Sequence, residues 1–144
     1  MLVVVGGYND EEGYGNWVEI VNIDGIPYDC DEPEPYPIQT EGSIGGIVNN
    51  QLMVCGGRIT LNSCYRLNPN TGKWKKAPDM LQGREYAAYS EIPQNKGLFV
   101  MGSLDTTTEI LKNGKWAYGP SLPTGQVSHY HLLFKNLPVG GVVS

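Results

Sequence analysis

The sequence predicts an all-β protein built from short antiparallel strands in repeated sheets, and three observations support this fold class. Glycine and proline account for 19 and 10 of the 144 residues, which is too much turn chemistry for a helical bundle. No segment shows the sustained apolar period of 3.6 residues that marks an amphipathic helix. Apolar strands that end in glycine recur along the chain, which indicates a repeat architecture.

Two kinds of marker define the repeat. Gly7, Gly57 and Gly102 each follow an apolar strand, at intervals of 50 and 45 residues. Trp74 and Trp116 are each followed four residues later by proline, and they lie 42 residues apart. Because the intervals differ, the length variation falls between the glycines and the tryptophans, where surface loops tolerate it.

Each repeat contains short strands separated by turn residues. Asn49-Asn50 and Asn113-Gly114 are typical of tight hairpin turns, because Asn and Gly adopt positive φ. The strands of the second unit are predicted at 42–49, 51–55, 63–67 and 74–77. Those of the third unit are predicted at 85–92, 96–101, 108–111 and 116–119. The first unit lacks its innermost strand and contains strands at 2–5 and 17–23, and 128–135 is predicted to be the first strand of a fourth unit.

Four short antiparallel strands per repeat of about 45 residues are typical of a β-propeller blade. A small twisted sheet cannot bury both of its faces alone, so blades stack radially and cover one another. We therefore predict that residues 1–144 form a β-propeller segment of about three four-stranded antiparallel blades in an incomplete ring. The predicted blades span 1–41 (partial), 42–80, 81–122 and 123–144 (the start of a fourth).

The pattern resembles the kelch repeat. That family combines a glycine doublet after the second strand, a tyrosine on the third strand, a tryptophan about nine residues later and an arginine that opens the next repeat. In the second unit these marks correspond, in order, to Gly56, Gly57, Tyr65, Trp74 and Arg84.

The other units match the kelch pattern in part. Gly6 and Gly7 form the doublet of the first unit. In the third unit Gly102 and Trp116 match, Ile110 or a neighbour takes the tyrosine place, and Gln126 replaces the arginine. His129 stands where kelch repeats commonly carry a histidine on the first strand.

The resemblance implies a non-catalytic protein–protein interaction module without a cofactor, within a larger adaptor or scaffold protein. Kelch propellers usually have five to seven blades, so about three blades imply a fragment or a part-ring. Such a stack could self-associate through its open blade faces, and two chains could complete a six-bladed ring. The alternative is a fragment of a secreted propeller related to galactose-oxidase-like copper enzymes, without an active site in this segment.

Loops at one end of the blades supply the candidate binding residues, which are Tyr8, Tyr14, Arg58 and Arg84. Tyrosine and arginine are the residue types most enriched at binding hot spots. The competing interpretation is structural, because kelch-type arginines often tie adjacent blades and the tyrosines can pack within them.

Charge is distributed unevenly along the chain. The net charge is −5, but residues 1–57 contain ten acidic and no basic side chains, so the later part carries an excess of basic groups. No dense basic patch with interleaved aromatics is present, so we predict no nucleic-acid partner. No apolar run approaches the roughly 20 residues of a membrane span, so no membrane partner is predicted either. The compartment stays open.

Cysteine usage leaves one question open. Cys55 and Cys64 flank an eight-residue stretch that could join two antiparallel strands, which would allow the two residues to form a disulfide. Two partly buried free thiols are the equally weighted alternative. The absence of a Cys-x-x-Cys pair predicts no structural metal site.

Overall fold

The computed structural model describes residues 2–21, 33–103 and 105–123, and within them the chain is almost entirely β-structure. A single 3₁₀ turn at Pro93–Asn95 interrupts the strands of the described residues. The strands are β1 (Leu2–Asn9), β2 (Gly13–Val21), β3 (Ile44–Val48), β4 (Gln51–Cys55), β5 (Cys64–Leu67), β6 (Trp74–Ala77), β7 (Ala88–Ile92), β8 (Gly97–Met101), β9 (Thr108–Lys112) and β10 (Lys115–Tyr118).

The strands form three antiparallel sheets in which neighbours in sequence are neighbours in space. The first sheet pairs β1 with β2, the second runs β3-β4-β5-β6, and the third runs β7-β8-β9-β10. None closes into a barrel, so the sheets have the form of separate propeller blades. The prediction of an all-β fold with four-stranded antiparallel sheets is confirmed. Within the described ranges, no helix is long and apolar enough to cross a membrane.

The tight turns follow from residues that tolerate positive φ. Asn49 and Asn50, between β3 and β4, have φ of 51° and 60°. Asn113 and Gly114, between β9 and β10, have φ of 51° and 72°. Positive φ at both central residues matches the right-handed twist of the flanking strands, which is why these positions close hairpins.

The first hairpin is longer than the sequence predicted. Its strands continue through the glycine doublet, with an irregular register between Val5 and Gly7. The turn is then short, because the Asn9 side-chain oxygen accepts hydrogen bonds from the backbone N–H groups of Glu11 at 3.0 Å and Glu12 at 2.6 Å. This local bonding closes the turn directly after β1.

Tyr8 and Tyr14 therefore do not lie in a loop as predicted. They face each other across β1 and β2, one register step from the turn. The sequence prediction ended the first strand at the glycine doublet because the other two units do so. Here the bulge at the doublet lets pairing resume beyond it.

The main core lies between the second and third sheets. Its side chains come from facing strands and from the segment that links the two sheets. The buried residues are Ile44, Val48, Met53, Cys55, Cys64, Ala77, Met80, Ala87, Leu98, Val100, Leu111 and Trp116. At Gly46 a β-carbon would lie 2.6 Å from the Leu98 side chain, so the absence of one lets the sheets approach closely.

Two tryptophans tie successive units together through the same hydrogen bond. Trp74 Nε1 donates to the Glu34 carbonyl at 2.8 Å, and Trp116 Nε1 donates to the Pro78 carbonyl at 2.9 Å. In both cases the donor lies on the outer strand of a sheet. The acceptor lies in the segment that leads into the inner strand of the same sheet. Trp116 is buried and Trp74 is partly buried, and the indole N–H of a tryptophan removed from water needs such a partner.

A second repeated bond lies at the glycine doublets. Gly57 N–H donates to the Arg84 carbonyl at 2.9 Å, and Gly7 N–H donates to the Thr40 carbonyl at 2.8 Å. Thr40 thus stands in the first unit where Arg84 stands in the second. The donors of the two bonds are 50 positions apart and the acceptors are 44 positions apart, so the sequence repeat is also a structural one.

Candidate functional site

One end of the sheets gathers most of the predicted binding residues. The connection that follows each glycine turn lies at this end, and so does each segment that links one sheet to the next. Backbone hydrogen bonds hold the two kinds of segment together, including Arg58 N–H to the Glu41 carbonyl at 3.0 Å. We call this surface the loop face, and it comprises residues 8–14, 36–43, 56–62, 78–87 and 102–107 (except 104).

Arg58 is an exposed cation of the loop face. Its side chain is 55% exposed, and its Nη1 lies 3.3 Å from the Oε1 of Glu41. The pKa of Arg58 is raised first by attraction to Tyr14 in its ionised, phenolate form and then by hydrogen bonds to Glu41 and Tyr86. The guanidinium is therefore held in place by its neighbours while most of its surface remains open to a partner.

Tyr86 reaches this cluster through an unusual backbone conformation. Its φ is 52°, and its N–H donates to the Gly42 carbonyl at 2.8 Å. A β-carbon on Gly42 would lie 2.8 Å from the Tyr86 ring, so glycine leaves space for the aromatic side chain. The hydrogen bond to Glu41 is the main reason that the pKa of Tyr86 is raised.

Tyr8 and Tyr14 form an aromatic pair at the edge of the loop face. Their ring centroids are 5.4 Å apart with the planes tilted by 59°. Tyr8 is 55% exposed. Tilted rings at this separation stabilise each other, so the pair presents a rigid aromatic surface.

The loop face also contains exposed aliphatic side chains. Ile59, Leu61 and Leu81 are 49%, 45% and 49% exposed. Leu61 is held against the linking segment, because its carbonyl accepts the Arg84 N–H at 2.6 Å. The loop face therefore combines a fixed cation with aromatic and aliphatic groups, the composition found at the centre of protein interfaces.

Arg84, the fourth predicted binding residue, lies in the interior. Its side chain is 1% exposed. Its guanidinium donates to the carbonyls of Gly102 at 2.6 Å and Thr107 at 3.1 Å, and to the Thr107 hydroxyl at 2.7 Å. Of its two predicted roles, contact with a partner does not fit this position, whereas a structural role joining the second and third sheets does.

Glu109 is the buried partner of Arg84, and the sequence did not indicate this role. Its carboxylate accepts Arg84 Nε–H at 3.0 Å and the backbone N–H groups of Leu81 at 2.6 Å and Gln82 at 3.1 Å. Glu109 lies opposite Val100 on the neighbouring strand, just as Tyr65 lies opposite Val54 in the second sheet. Only a comparison of strand registers could have revealed that a carboxylate replaces the repeat tyrosine.

Asp105 completes the polar network on the loop face. Burial alone would raise the pKa of its carboxyl, but hydrogen bonds from Thr107 and Gln82 and the charge of Arg84 together lower it. The negative charge at Asp105 therefore helps to hold the 102–107 connection against the linking segment.

The other predicted repeat marks occupy equivalent positions in the sheets. Gly6, Gly7, Gly56, Gly57 and Gly102 all have positive φ, directly after or within the strand that they mark. Tyr65 packs edge-on against Tyr36 at 5.6 Å, and Tyr36 packs against Trp74 at 4.9 Å. His129 lies outside the described residues, as does the predicted fourth blade after residue 123.

Cys55 and Cys64 are directly opposite each other on β4 and β5 and are joined as a disulfide. Both are fully buried in the core between the second and third sheets. The eight-residue connection between them carries Arg58, Ile59 and Leu61. The disulfide therefore closes the base of the most exposed part of the loop face.

A groove of about 340 Å³ lies beside the inner strands and meets the loop face at Ser43. It separates β1 from β3 and β4. Its lining is Val3, Val5, Ser43, Ile44, Gly45, Gly46, Ile47, Leu52, Val54 and Tyr89. Across the part of the chain that the structure describes, no group of three or more His, Cys, Asp or Glu side chains is arranged to hold a metal ion.

Comparison with known proteins agrees with the repeat. The family model of the kelch motif matches residues 45–81, which contain the second sheet and the outer tryptophan Trp74. No curated protein matches the chain at a significant level. The chain therefore carries a kelch motif at residues 45–81, which supports the predicted resemblance to kelch repeats.

Proposed function

We propose that this kelch-type propeller segment recognises another protein through its loop face. The observation that carries the proposal is Arg58, an exposed guanidinium that pairs with the Glu41 carboxylate and hydrogen-bonds with the Tyr86 phenol. A fixed, half-exposed arginine loses little side-chain freedom on binding, and arginines beside aromatic rings dominate many interfaces. The role that we propose is binding, within a larger adaptor or scaffold protein.

The acidic turn beside the Tyr8–Tyr14 pair and the exposed aliphatic side chains of the loop face favour a partner with basic and apolar groups. Asp10, Glu11 and Glu12 are exposed in the turn beside the Tyr8–Tyr14 pair. Carboxylates next to exposed rings attract cationic side chains, which also interact with the ring faces. The exposed side chains of Ile59, Leu61 and Leu81 offer contact area for apolar residues.

The proposal is tested by selecting peptides from a displayed random library against the 144-residue chain. The affinity of selected synthetic peptides is then measured by fluorescence anisotropy. We expect Arg58→Ala and Tyr8→Ala each to weaken binding by about tenfold or more, as hot-spot truncations do.

Two variants outside the loop face serve as matched controls. Tyr118→Ala removes a tyrosine that is 60% exposed on β10, and Lys75→Ala removes an exposed cation on β6. Both should leave the affinity within about twofold, in line with the small effects typical of residues outside a hot spot. Peptides that bind Arg58→Ala and Tyr8→Ala as tightly as the wild type, or a library that yields no binder, would contradict the proposal.

A further inference from the structure

Glu85, on the loop face, has a carboxylate oxygen without a hydrogen-bond partner. Its Oε2 atom is buried and accepts no hydrogen bond from the described residues. The side chain as a whole is partly exposed, and the Glu85 backbone N–H donates to the Ser103 hydroxyl at 3.3 Å. Buried polar atoms in folded proteins nearly always have a partner, so this oxygen is a candidate for one that a bound molecule supplies.

The equivalent carboxylate of the preceding unit does have a partner. Thr40 and Arg84 accept the same hydrogen bond from a glycine N–H. The residues that follow them, Glu41 and Glu85, therefore occupy equivalent positions in the repeat. The Glu41 carboxylate pairs with the Arg58 guanidinium at 3.3 Å, whereas no ion pair among the described residues includes Glu85.

The sequence explains why the two carboxylates differ. The glycine turns of the second and third sheets have the same backbone conformation, with φ of 69° and 97° at residues 56–57 and of 74° and 95° at residues 102–103. Arg58 follows the first of these turns, and Leu104 follows the second. A leucine side chain cannot neutralise a carboxylate, so this step of the repeat supplies no cation for Glu85.

Arg58 attracts Glu85 without a hydrogen bond to it. Glu85 comes after Tyr14, Glu41 and Tyr86 among the groups that raise the pKa of Arg58. Because the guanidinium pairs with Glu41, two carboxylates share one cation, and this part of the loop face has an excess of negative charge. A partner that covers Glu85 removes its carboxylate further from water, which costs free energy unless a positive group takes the place of the lost water.

We propose that Glu85 binds a basic side chain, arginine or lysine, of the protein that docks on the loop face. This role rests on the proposed function and adds to it the residue that selects for a cationic group. The N–H groups of the basic side chain donate to the Glu85 carboxylate, in charge-assisted hydrogen bonds that are stronger than those between neutral groups. The pair that Glu41 forms within the chain thus has a counterpart across the interface.

A double-mutant cycle tests this pairing with peptides selected from the displayed library against the 144-residue chain. Each arginine of a selected peptide is replaced by citrulline and each lysine by norleucine, which remove the charge and keep the aliphatic stem. We expect Glu85→Gln to raise the peptide dissociation constant by about tenfold or more. One neutralised peptide position should cause a similar loss with the wild type but less than about a twofold loss with Glu85→Gln, as direct pairing requires.

Glu34→Gln is the matched control, because it also removes a carboxylate but lies outside the loop face, with a side chain that is 57% exposed. It should change the dissociation constant by less than about twofold. If Glu85→Gln binds as tightly as the wild type, or loses affinity equally for every neutralised peptide, Glu85 does not pair with the partner. Binding at Arg58 is then unaffected, as long as Arg58→Ala still weakens it.

A small cation tests Glu85 without any peptide. ¹H–¹⁵N spectra of the chain are recorded during titration with N-acetylarginine amide, and N-acetylnorleucine amide serves as the neutral control compound. We expect the amide signals of Glu85 and Ser103 to shift with the arginine compound only, and to stay in place in Glu85→Gln. Shifts that persist in this variant, or a wild-type chain that shows none, would overturn the pairing even if the library yields no binder.

Discussion

Arg84 shows how a single buried side chain can join two sheets. It follows the second sheet in sequence, and its guanidinium bonds to carbonyls and a carboxylate of the third sheet. Both Arg84 and Glu109 are almost fully buried, at 1% and 0% exposure. A buried ion pair contributes modestly to stability as a pair, but removal of one partner leaves the other charge in the interior without compensation.

We therefore expect Arg84→Met to destabilise the chain by about 3–5 kcal/mol, because Glu109 is left as a buried unpaired carboxylate. The double variant Arg84→Met, Glu109→Gln should recover much of this loss, since it removes both charges and keeps a side-chain oxygen that can accept from the backbone N–H groups of Leu81 and Gln82. Urea unfolding followed by tryptophan fluorescence measures the free energies of unfolding of the wild type and both variants.

A surface ion pair provides the control for this experiment. Lys76 and Asp79 are 46% and 43% exposed, so Lys76→Met should cost no more than about 1 kcal/mol. If the double variant is as unstable as Arg84→Met, the packing of the long side chains, and not the unpaired charge, accounts for the loss.

The sequence identified Arg84 but not the reason for its burial. The order of glycine doublet, tyrosine, tryptophan and arginine marked it as a structural position. Its partner was not predicted, because Glu109 replaces a tyrosine and a carboxylate on a strand is most often solvated. The equivalence of Thr40 and Arg84 was not predicted either. The two residues accept the same hydrogen bond through their backbone carbonyls, but their side chains are of different types.

At the scale of the strands, the glycines that follow them determine how closely a sheet approaches the next linking segment. Gly56 has φ of 69°, and a β-carbon there would lie 2.4 Å from the Arg84 carbonyl oxygen. Gly114, in the β9–β10 turn, has a similar φ of 72° but has no atom within 4 Å of that position. The two glycines share the same backbone conformation and differ only in how closely other atoms approach.

This difference predicts two distinct effects for the same substitution. Gly114→Ala should cost about 1–2 kcal/mol, which is the penalty of a left-handed conformation for an L-residue. Gly56→Ala should cost about 2–4 kcal/mol, because the displaced carbonyl adds strain to that penalty. Thermal unfolding monitored by circular dichroism compares them, and equal losses would show that the close approach to Arg84 does not matter.

Most strands could be predicted from the sequence because turn residues mark their ends. The strands of the second sheet agree with prediction to within two residues, since Asn49-Asn50 and the segment 68–72 permit few alternatives. The first hairpin did not follow this rule. Its length depends on the Asn9 side chain and on a bulge at the doublet, which are contacts that strand periodicity does not encode.

For the whole molecule, the shared core determines how the second and third sheets unfold. Met53, Cys55 and Cys64 from the second sheet pack with Leu98 and other residues of the third. Neither sheet can bury this face alone, so the loss of packing on one side should loosen both. The repeat predicted this mutual burial in general terms, but not which residues would meet across the interface.

Leu98→Ala provides the test, because Leu98 is fully buried and lies against Gly46 of the facing sheet. The truncation should cost about 2–5 kcal/mol, as core leucines do. Hydrogen exchange measured by mass spectrometry should then show faster amide exchange in both β4 and β8, by similar factors, because the two sheets open as one cooperative unit. Ile110→Ala, on the outer face of the third sheet, should have a much smaller effect on β4. Acceleration limited to the third sheet in Leu98→Ala would mean that the two sheets unfold independently and that the core between them does not couple their stability.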